Sequence, residues 1–311
     1  MRISILISAL ALAVLSATGA LGFAQELLKV RIGDNQKVFP ESITTLADGT
    51  IFAGSVGTGL VFRAKAGATS ATAWTEPQAD GPGAVTGVLA DEKSGLLWAC
   101  YADLAAFSAP ADAKPSVLRT FSLNDASLGA TYAFTGASFC NDMTTAPDGT
   151  AYVTDTIGAR IMRIKPGAAE LEVWMTDPTL AGVDGIALAP DGTLYINNVG
   201  TGKLYRVGIS SDGASGALTE IATSAPLMGP DGMRFGDDGV LYLAENGAGR
   251  VVALKISGDS AKVTAVKRGY DTPTAVSKSG ETLYVGESRF SKMGSTEDPG
   301  QFYVHLVHPK H

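Results

Sequence analysis

The chain of 311 residues has few of the side chains on which most hydrolases depend. Its only histidines are His305, His308 and His311, which all lie in the C-terminal strand and tail. Ser-His-Asp and Cys-His nucleophiles both need a histidine base, and these positions do not supply one. The sequence therefore excludes these two kinds of catalysis, and any hydrolysis would depend on a metal ion and carboxylates.

Positive charge is also scarce. Lysine and arginine together number 24, against 31 aspartates and glutamates, so the formal net charge is −7. Basic residues do not gather in the patches that are typical of nucleic-acid-binding proteins. We therefore expect no nucleic-acid partner.

Long apolar runs are absent except at the N-terminus. There, residues 3–17 are nearly all apolar, they follow Arg2, and small residues surround a cleavage point before Gln25. This order predicts a secretory signal peptide over residues 1–24, and hence a periplasmic or secreted protein without membrane attachment after cleavage. A retained membrane anchor is the alternative, although the run is short for a spanning helix of about 20 residues.

Cysteine is limited to Cys100 and Cys140. In an oxidising compartment such a pair is more often bridged than free. Hairpin geometry would bring both to the same mouth of neighbouring repeats, so we predict a disulfide that braces the backbone beside Asn141. Two unpaired buried thiols are the alternative.

Glycine, in contrast, is plentiful, and it occurs at the turns of a sequence motif that the chain repeats. In residues 139–164 an Asp-Gly turn joins two apolar runs and a third strand follows, as in a β-hairpin with an added strand. One aromatic residue per repeat marks the returning strand, at intervals of 46, 54, 43, 47 and 42 residues: Phe52, Trp98, Tyr152, Tyr195, Tyr242 and Tyr284. This period suits the blade of a propeller. We predict an all-β, six-bladed β-propeller of four-stranded antiparallel blades over residues 25–311, closed by an N-terminal strand at residues 27–32.

The innermost strand of each predicted blade begins eleven residues before the aromatic. In a propeller these equivalent positions surround one mouth of the central channel. They are Glu41, Gly87, Asn141, Asp184, Asp231 and Pro273. The four oxygen donors among them, three of them carboxylates, would repel one another without a cation. We therefore predict a divalent metal site at Glu41, Asn141, Asp184 and Asp231, with Ca²⁺ as the first choice and Mg²⁺, Mn²⁺ or Zn²⁺ behind it. The alternative is that these side chains only satisfy turn hydrogen bonds.

A second set of polar residues follows each aromatic by three positions, near the same mouth. It consists of Ser55, Tyr101, Asp155, Asn198, Glu245 and Glu287. We predict that Asp155, Asn198, Glu245 and Glu287 support and orient the metal ligands. Solvated polar strand ends are the alternative.

These motifs together resemble the SMP-30/gluconolactonase/LRE-like family of six-bladed propellers, which includes diisopropylfluorophosphatase and is related to the paraoxonases. The resemblance covers nearly all of the mature chain and depends on the order of four motifs: Pro40-Glu41, Asn141-Asp142 with Pro147-Asp148-Gly149, Gly185 with Pro190-Asp191-Gly192, and Pro230-Asp231-Gly232-Met233. It implies a divalent metal held by Glu41, Asn141, position 184 and Asp231.

Two positions depart from the family pattern. Asp184 stands where these enzymes usually have Asn, and Phe139 stands where the sugar-lactone hydrolases of the family carry an Arg. The added carboxylate should tighten divalent binding and leave less Lewis acidity for a substrate. Phe139 indicates a substrate less polar than a sugar.

The sequence as a whole therefore favours a secreted, Ca²⁺-dependent hydrolase of small lactones or related esters. The metal would polarise the carbonyl, while Asp231 or Asp184 accepts a proton from the attacking water. We expect a monomer whose partner is a small-molecule substrate. A non-catalytic binding propeller with a structural metal and a metal-dependent phosphotriesterase remain alternatives.

Overall fold

The computed structural model describes residues 29–34, 37–109 and 111–309. The predicted signal peptide, residues 1–24, lies outside these ranges. No helix within them has the length and apolar character that crossing a membrane requires.

The described chain consists mainly of short β-strands, as predicted for an all-β protein. The first half contains β1 (Lys29–Ile32), β2 (Pro40–Thr45), β3 (Ile51–Ser55), β4 (Val61–Ala64), β5 (Ser70–Ala73), β6 (Ala84–Asp91), β7 (Leu96–Ala102), β8 (Val117–Ser122), β9 (Leu128–Ala133), β10 (Cys140–Thr145), β11 (Ala151–Asp155), β12 (Arg160–Ile164) and β13 (Glu172–Thr176). The second half contains β14 (Val183–Leu188), β15 (Leu194–Asn198), β16 (Lys203–Val207), β17 (Thr219–Glu220), β18 (Ala222–Thr223), β19 (Pro230–Phe235), β20 (Leu241–Glu245), β21 (Arg250–Ser257), β22 (Ser260–Arg268), β23 (Pro273–Ser279), β24 (Thr282–Glu287) and β25 (Tyr303–Val307). Short 3₁₀ helices lie at Leu104–Phe107, Pro178–Leu180, Asn246–Ala248 and Phe290–Lys292.

Hydrogen bonding groups these strands into five sheets. Three sheets have four antiparallel strands each, β6–β9, β10–β13 and β14–β17, and another consists of β19–β22 with the short β18 at its edge. The remaining eight strands form one sheet in the order β2-β3-β4-β5-β1-β25-β24-β23. It contains two four-stranded groups, which a short parallel pairing of β1 with β5 joins. Four-stranded antiparallel units are therefore confirmed, although the hydrogen bonds do not separate the chain into six sheets.

The predicted closing strand is β1, which pairs antiparallel with β25 through Lys29 and His305. This pairing places the N-terminal strand outside the last antiparallel group, where it covers the edge of β25. The first strand of each group contacts the next one, and β23 returns to contact β2, so β2, β6, β10, β14, β19 and β23 follow one another around a closed cycle. The starts of these strands consequently face a common axis.

Each of these first strands has a register shift near its start, between Pro40 and Ser42 in β2 for example. A β-bulge of this kind turns a side chain out of the regular alternation. The bulge position lies three residues before the strand partner of each aromatic: Glu41, Thr86, Asn141, Asp184, Asp231 and Thr274.

The prediction of Gly87 and Pro273 at this position was therefore wrong by one residue in each case. The turn after β6 is one residue longer than those of the other repeats, and the turn after β23 is one residue shorter, so a fixed count from the aromatic misses both. Thr86 and Thr274 replace them, and all six positions carry an oxygen donor.

Cys100 in β7 and Cys140 in β10 form a disulfide across neighbouring sheets, with their Cα atoms 5.4 Å apart. Both side chains are fully buried, in an apolar cluster with Trp98, Leu118 and Met143. The bridge fixes the first residue of β10, which immediately precedes Asn141.

Glycine is needed where neighbouring first strands approach one another. A Cβ atom on Gly185 would lie 2.4 Å from the backbone oxygen of Asp231, and one on Gly232 would lie 2.7 Å from that of Thr274. Side-chain carbons do not approach oxygens this closely without displacement. Gly185 and Gly232 each follow an aspartate at the start of a first strand. They therefore let the next first strand come close to the axis.

We expect Gly185→Ala to lower the free energy of unfolding by about 1–3 kcal/mol, because the methyl group would push β14 away from β19. Gly208→Ala is the matched control, since a Cβ atom there meets nothing within 4 Å, and its effect should stay within about 0.5 kcal/mol. Urea denaturation of both variants measures the difference. Equal losses would contradict the steric role assigned to Gly185.

Candidate metal centre

The four predicted metal ligands line one small cavity on the axis. Glu41, Asn141, Asp184 and Asp231 reach it from β2, β10, β14 and β19. The cavity has a volume of about 10 Å³, which is close to the space that a single water molecule needs. Asn141, Asp184 and Asp231 are each at most 7% exposed. The structure thus brings together side chains that are as far as 190 positions apart in the sequence.

Hydrogen bonds hold two of these side chains in defined orientations. Asn141 Nδ2 donates to Asp184 Oδ2 and to Thr156 Oγ1, both at 3.0 Å. Asp231 Oδ2 accepts from Asn246 Nδ2 at 2.8 Å. Asp184 Oδ1, in contrast, is buried and receives a hydrogen bond from no N–H or hydroxyl group of the described chain. The carboxyl groups of Asp184 and Asp231 can bond each other only while one of them is protonated. Once both are ionised, the unpaired buried oxygen costs about 1–3 kcal/mol, and a cation in the cavity would satisfy it.

The carboxyl groups of the three predicted acidic ligands resist ionisation. Burial raises the pKa of Glu41 well above its ordinary range, and the charges of Asp231 and Asp184 raise it further. Burial and the charge of Asp231 raise the pKa of Asp184 in the same way. Burial also raises the pKa of Asp231 to about 7. A divalent cation would reverse these shifts, because its charge favours the ionised form of every neighbouring carboxyl group.

The donor chemistry fits a hard divalent cation such as Ca²⁺, because carboxylate and amide oxygens surround the cavity and neither sulfur nor imidazole lines it. In the described ranges, however, no three Asp, Glu, His or Cys side chains already converge as ligands of one ion. Asn141 turns its amide nitrogen, and not its oxygen, toward Asp184. Turning the Asn141 amide over would present its oxygen, and the assignment of amide oxygen and nitrogen depends on the hydrogen bonds alone.

The predicted supporting residues are buried and act on the backbone, not on the ligand side chains. Each forms a hydrogen bond with the backbone of the segment that precedes a first strand. Asp155 accepts from Phe139 N at 2.8 Å, and Asn198 donates to Ala181 O at 2.7 Å. Glu245 accepts from Met228 N at 2.7 Å, and Glu287 accepts from Asp271 N at 2.8 Å. Ser55 and Tyr101 are also buried. The alternative of solvated strand ends is therefore wrong, and any orienting effect on the ligands passes through two or three residues of backbone.

The side chains that do contact the bulge residues lie one position further along. Thr156 accepts a hydrogen bond from Asn141, Asn246 donates to Asp231, and the hydroxyl groups of Ser288 and Thr274 bond each other. Sequence reasoning missed this set because it ignored the one-residue shift that the bulge introduces. The polarity of positions 156, 246 and 288 was the available signal.

Asp142 and Arg234 also line the cavity and were not predicted as site residues. The guanidinium of Arg234 donates to both carboxylate oxygens of Asp142, at 2.7 Å each. In the other five repeats, the position of Arg234 is occupied by Thr44, Leu89, Thr144, Ala187 and Ser277. The positive charge of Arg234, at a position that is uncharged in the other five repeats, was the signal that sequence reasoning missed.

A larger pocket of about 580 Å³ opens at the end of the molecule where the first strands begin. Phe39, Val56, Leu104 and Met293 contribute its apolar lining, and Phe39 lies two residues before Glu41. Phe139, two residues before Asn141, is buried. Its ring packs against that of Phe107, with the ring centroids 4.5 Å apart. The pocket also has charged side chains in its lining, at Lys37, Lys292, Glu297 and Asp298, so its walls are apolar on one part and charged on another.

The model of the SMP-30/Gluconolactonase/LRE-like region matches residues 39–289. The chain belongs to this family. The match begins just before Glu41 and ends just after Glu287, so it includes every first strand of this SMP-30/gluconolactonase/LRE-like protein. No protein of curated function matches the chain in sequence.

Solved structures with the same fold include enzymes and a calcium-binding protein. A luciferin-regenerating enzyme is 16% identical with a TM-score of 0.65, and the match covers 91% of this chain and 92% of that one. A gluconolactonase from Xanthomonas campestris is 17% identical with a TM-score of 0.62, covering 87% of each chain. The calcium-binding protein regucalcin from Agrobacterium tumefaciens is 16% identical with a TM-score of 0.61, covering 90% of this chain and 97% of that one. At these identities the similarity shows the fold alone.

Proposed function

We propose that this protein is a secreted, metal-dependent hydrolase that opens small lactones or related esters in the central channel of a six-bladed propeller. The closed cycle of six first strands supports the blade number, since each strand begins its own antiparallel group. The family, which includes gluconolactonases by name, supports the reaction class. Secretion depends on the signal predicted at residues 1–24, and we propose a monomer acting on a small molecule.

One observation carries the proposal. The buried carboxyl groups of Asp184 and Asp231, the half-buried one of Glu41 and one amide meet in a cavity of about 10 Å³. All three carboxyl groups have raised pKa values, and one oxygen of Asp184 receives no hydrogen bond from an N–H or hydroxyl group. Local hydrogen bonds account for part of the cluster only: Asp231 accepts from Gly232 N, but they do not explain why all four side chains line one cavity. A divalent cation accounts for all of these features at once.

Ca²⁺, when held by Glu41, Asn141, Asp184 and Asp231, would supply a Lewis acid that polarises a carbonyl oxygen. Asp231 is the best candidate for accepting a proton from water, because Asn246 and the backbone N–H of Gly232 each fix one of its oxygens. Asp184 is the second candidate, through the oxygen that lacks a donor. The cavity beside these groups has room for about one water molecule.

The proposed substrate is less polar than a sugar lactone. Phe139 replaces the arginine that the sugar-lactone hydrolases carry two residues before the Asn, and it packs against the ring of Phe107 without exposing a polar group. The pocket at the strand starts has apolar walls at Phe39, Val56 and Leu104, and its remaining lining includes the charged residues Lys37, Lys292, Glu297 and Asp298. We assign the apolar substituent of the substrate to the first of these parts. A lactone or ester with an apolar substituent fits these surroundings better than a polyhydroxylated ring.

A binding protein with a structural metal is the second candidate, and Asp184 favours it. A third carboxylate where the family usually has Asn strengthens cation binding and lowers the Lewis acidity that remains. Phosphotriester hydrolysis would use the same side chains and can be separated from lactone opening only by the substrate.

The test is a panel of aldonolactones, alkyl-substituted lactones, aryl esters and phosphotriesters, assayed with Ca²⁺ and again with excess chelator. We expect turnover of alkyl-substituted lactones that chelator abolishes and added Ca²⁺ restores. Turnover of phosphotriesters and of no other substrate would identify the protein as a phosphotriesterase. A chelator-induced loss of stability without turnover of any substrate would support the binding protein, and turnover unaffected by chelator would contradict metal dependence.

A further inference from the structure

Arg234 is the only positively charged side chain that lines the axial cavity within the described ranges. It reaches the cavity from β19, three residues beyond Asp231, and its side chain is 15% exposed. One of its terminal nitrogens also donates to the backbone oxygens of Met233 and Ile186, at 2.7 and 3.2 Å. These contacts fix the guanidinium in one place, so its charge is a permanent feature of the cavity.

Asp142, the partner of Arg234, has no free acceptor site. Its Oδ1 accepts from Arg234 Nη2 at 2.7 Å and from the backbone N–H of Met143 at 2.8 Å. Its Oδ2 accepts from Arg234 Nη1 at 2.7 Å and from the backbone N–H of Ile186 at 3.2 Å. A carboxylate offers about four lone-pair directions, and four donors occupy them here. Asp142 therefore differs from Asp184, which lies in the same cavity with an oxygen that lacks such a donor.

We propose that Arg234 takes the place of a cation in the channel: it satisfies Asp142 and so prevents a second divalent ion from binding beside the ring of Glu41, Asn141, Asp184 and Asp231. The proposal rests on the metal-dependent function proposed above for that ring. Four carboxyl groups line the cavity, and two divalent ions would be needed to balance them without Arg234. The guanidinium neutralises one of the four and leaves three for a single ion.

Other buried arginine–carboxylate pairs of the chain do not have this position. Arg160 bonds Asp155 at 2.8 Å, with Asp155 fully buried, but neither residue lines the cavity. That pair holds the segment before β10 through the bond from Phe139 N to Asp155. It offers a matched control, because removing its arginine also frees a buried carboxylate but does so outside the cavity.

The experiment counts the Ca²⁺ ions bound per chain after equilibrium dialysis, followed by titration calorimetry of the chelator-treated protein. Arg234→Met should bind one more ion per chain than the wild type, because one acceptor direction on each of the two carboxylate oxygens of Asp142 becomes available to a cation. Arg234→Met combined with Asp142→Asn should return to the number found for the wild type. Arg160→Met should also match the wild type. Equal numbers for Arg234→Met and the wild type would overturn the proposal.

The wild-type count and the difference between variants test separate statements. A wild type that binds no Ca²⁺ would contradict the proposed function, whereas the gain of one ion in Arg234→Met would still show that Arg234 excludes a cation. If Arg234→Met does not fold even in Ca²⁺, Asp142→Asn provides the second test. It leaves the guanidinium charge uncompensated, so Ca²⁺ affinity should fall about tenfold or more at unchanged stoichiometry. An unchanged affinity would overturn the proposal.

Discussion

Asp231→Asn should reduce kcat for lactone opening by about 10²–10⁴-fold, which is the usual contribution of a positioned general base. The amide keeps the size of the side chain, and it can still accept the hydrogen bond from Gly232 N that the structure shows at 2.8 Å. It cannot accept a proton from water. Because the amide oxygen remains a possible metal ligand, Ca²⁺ should still bind, and KM should change much less than kcat.

The matched control for Asp231→Asn is Asp237→Asn, which removes an exposed carboxylate from the turn that follows β19. Steady-state kinetics at saturating Ca²⁺ measures both variants against the wild type. Asp237→Asn should retain full activity. An Asp231→Asn variant that kept more than about one tenth of wild-type kcat would assign the proton transfer to another group, with Asp184 as the next candidate.

Removal of the metal should lower the melting temperature, and the loss should grow as the pH rises. An ion present at 100 times its dissociation constant stabilises the folded state by about 2.7 kcal/mol, which corresponds to roughly 5–10 °C for a domain of this size. Without the ion, the three carboxyl groups of Glu41, Asp184 and Asp231 must either remain protonated or repel one another. Differential scanning fluorimetry with Ca²⁺ and with chelator measures the effect.

The sign of the pH dependence follows from the raised pKa values of Glu41, Asp184 and Asp231. A carboxyl group whose folded pKa lies above its unfolded value stabilises the metal-free protein at low pH, and this stabilisation is lost as the pH rises through the folded pKa. For Asp231 that value is about 7. The chelated protein should therefore melt roughly 5 °C or more lower at pH 8 than at pH 5.5.

Asp184→Asn provides the control for this pH dependence. It removes one of the coupled carboxyl groups and leaves the amide that the family usually has at this position. The chelated variant should lose less stability between pH 5.5 and pH 8 than the chelated wild type. Carboxyl groups with lowered pKa values, such as Asp103 and Glu287, are ionised throughout this window and do not contribute to the slope. A chelated wild type with a flat profile would contradict the assigned cluster.

Much of the site could be predicted because the repeat converts sequence position into geometry. Equivalent strand starts meet on one axis, so a single aligned position was enough to predict that Glu41, Asn141, Asp184 and Asp231 lie together, and all four line one cavity. The same count failed at Thr86 and Thr274, because one turn is a residue longer and another a residue shorter than the rest. A count of three residues back from the strand partner of each aromatic finds both, but those partners are known only once the length of each turn is known.

The remaining site residues could not be found from spacing alone. A bulge shifts the alternation of side chains by one residue, so Thr156 and Asn246 contact the ligands where Asp155 and Glu245 were expected. Arg234 and Asp142 come from different repeats and different positions within them, and only the folded chain brings them within 2.7 Å. The repeat pattern predicts the features that all repeats have in common. The Asp142–Arg234 pair instead depends on residues that are particular to two repeats.

A diffraction experiment on crystals soaked in Mn²⁺, which scatters anomalously and prefers the same oxygen ligands as the lighter divalent ions, tests the central claim most directly. The account predicts one strong anomalous peak in the axial cavity, with oxygens of Glu41, Asn141, Asp184 and Asp231 as its protein ligands and with Asp142 still bound to Arg234. A cavity without a peak at saturating Mn²⁺, or an ordered ion held elsewhere by other residues, would contradict it.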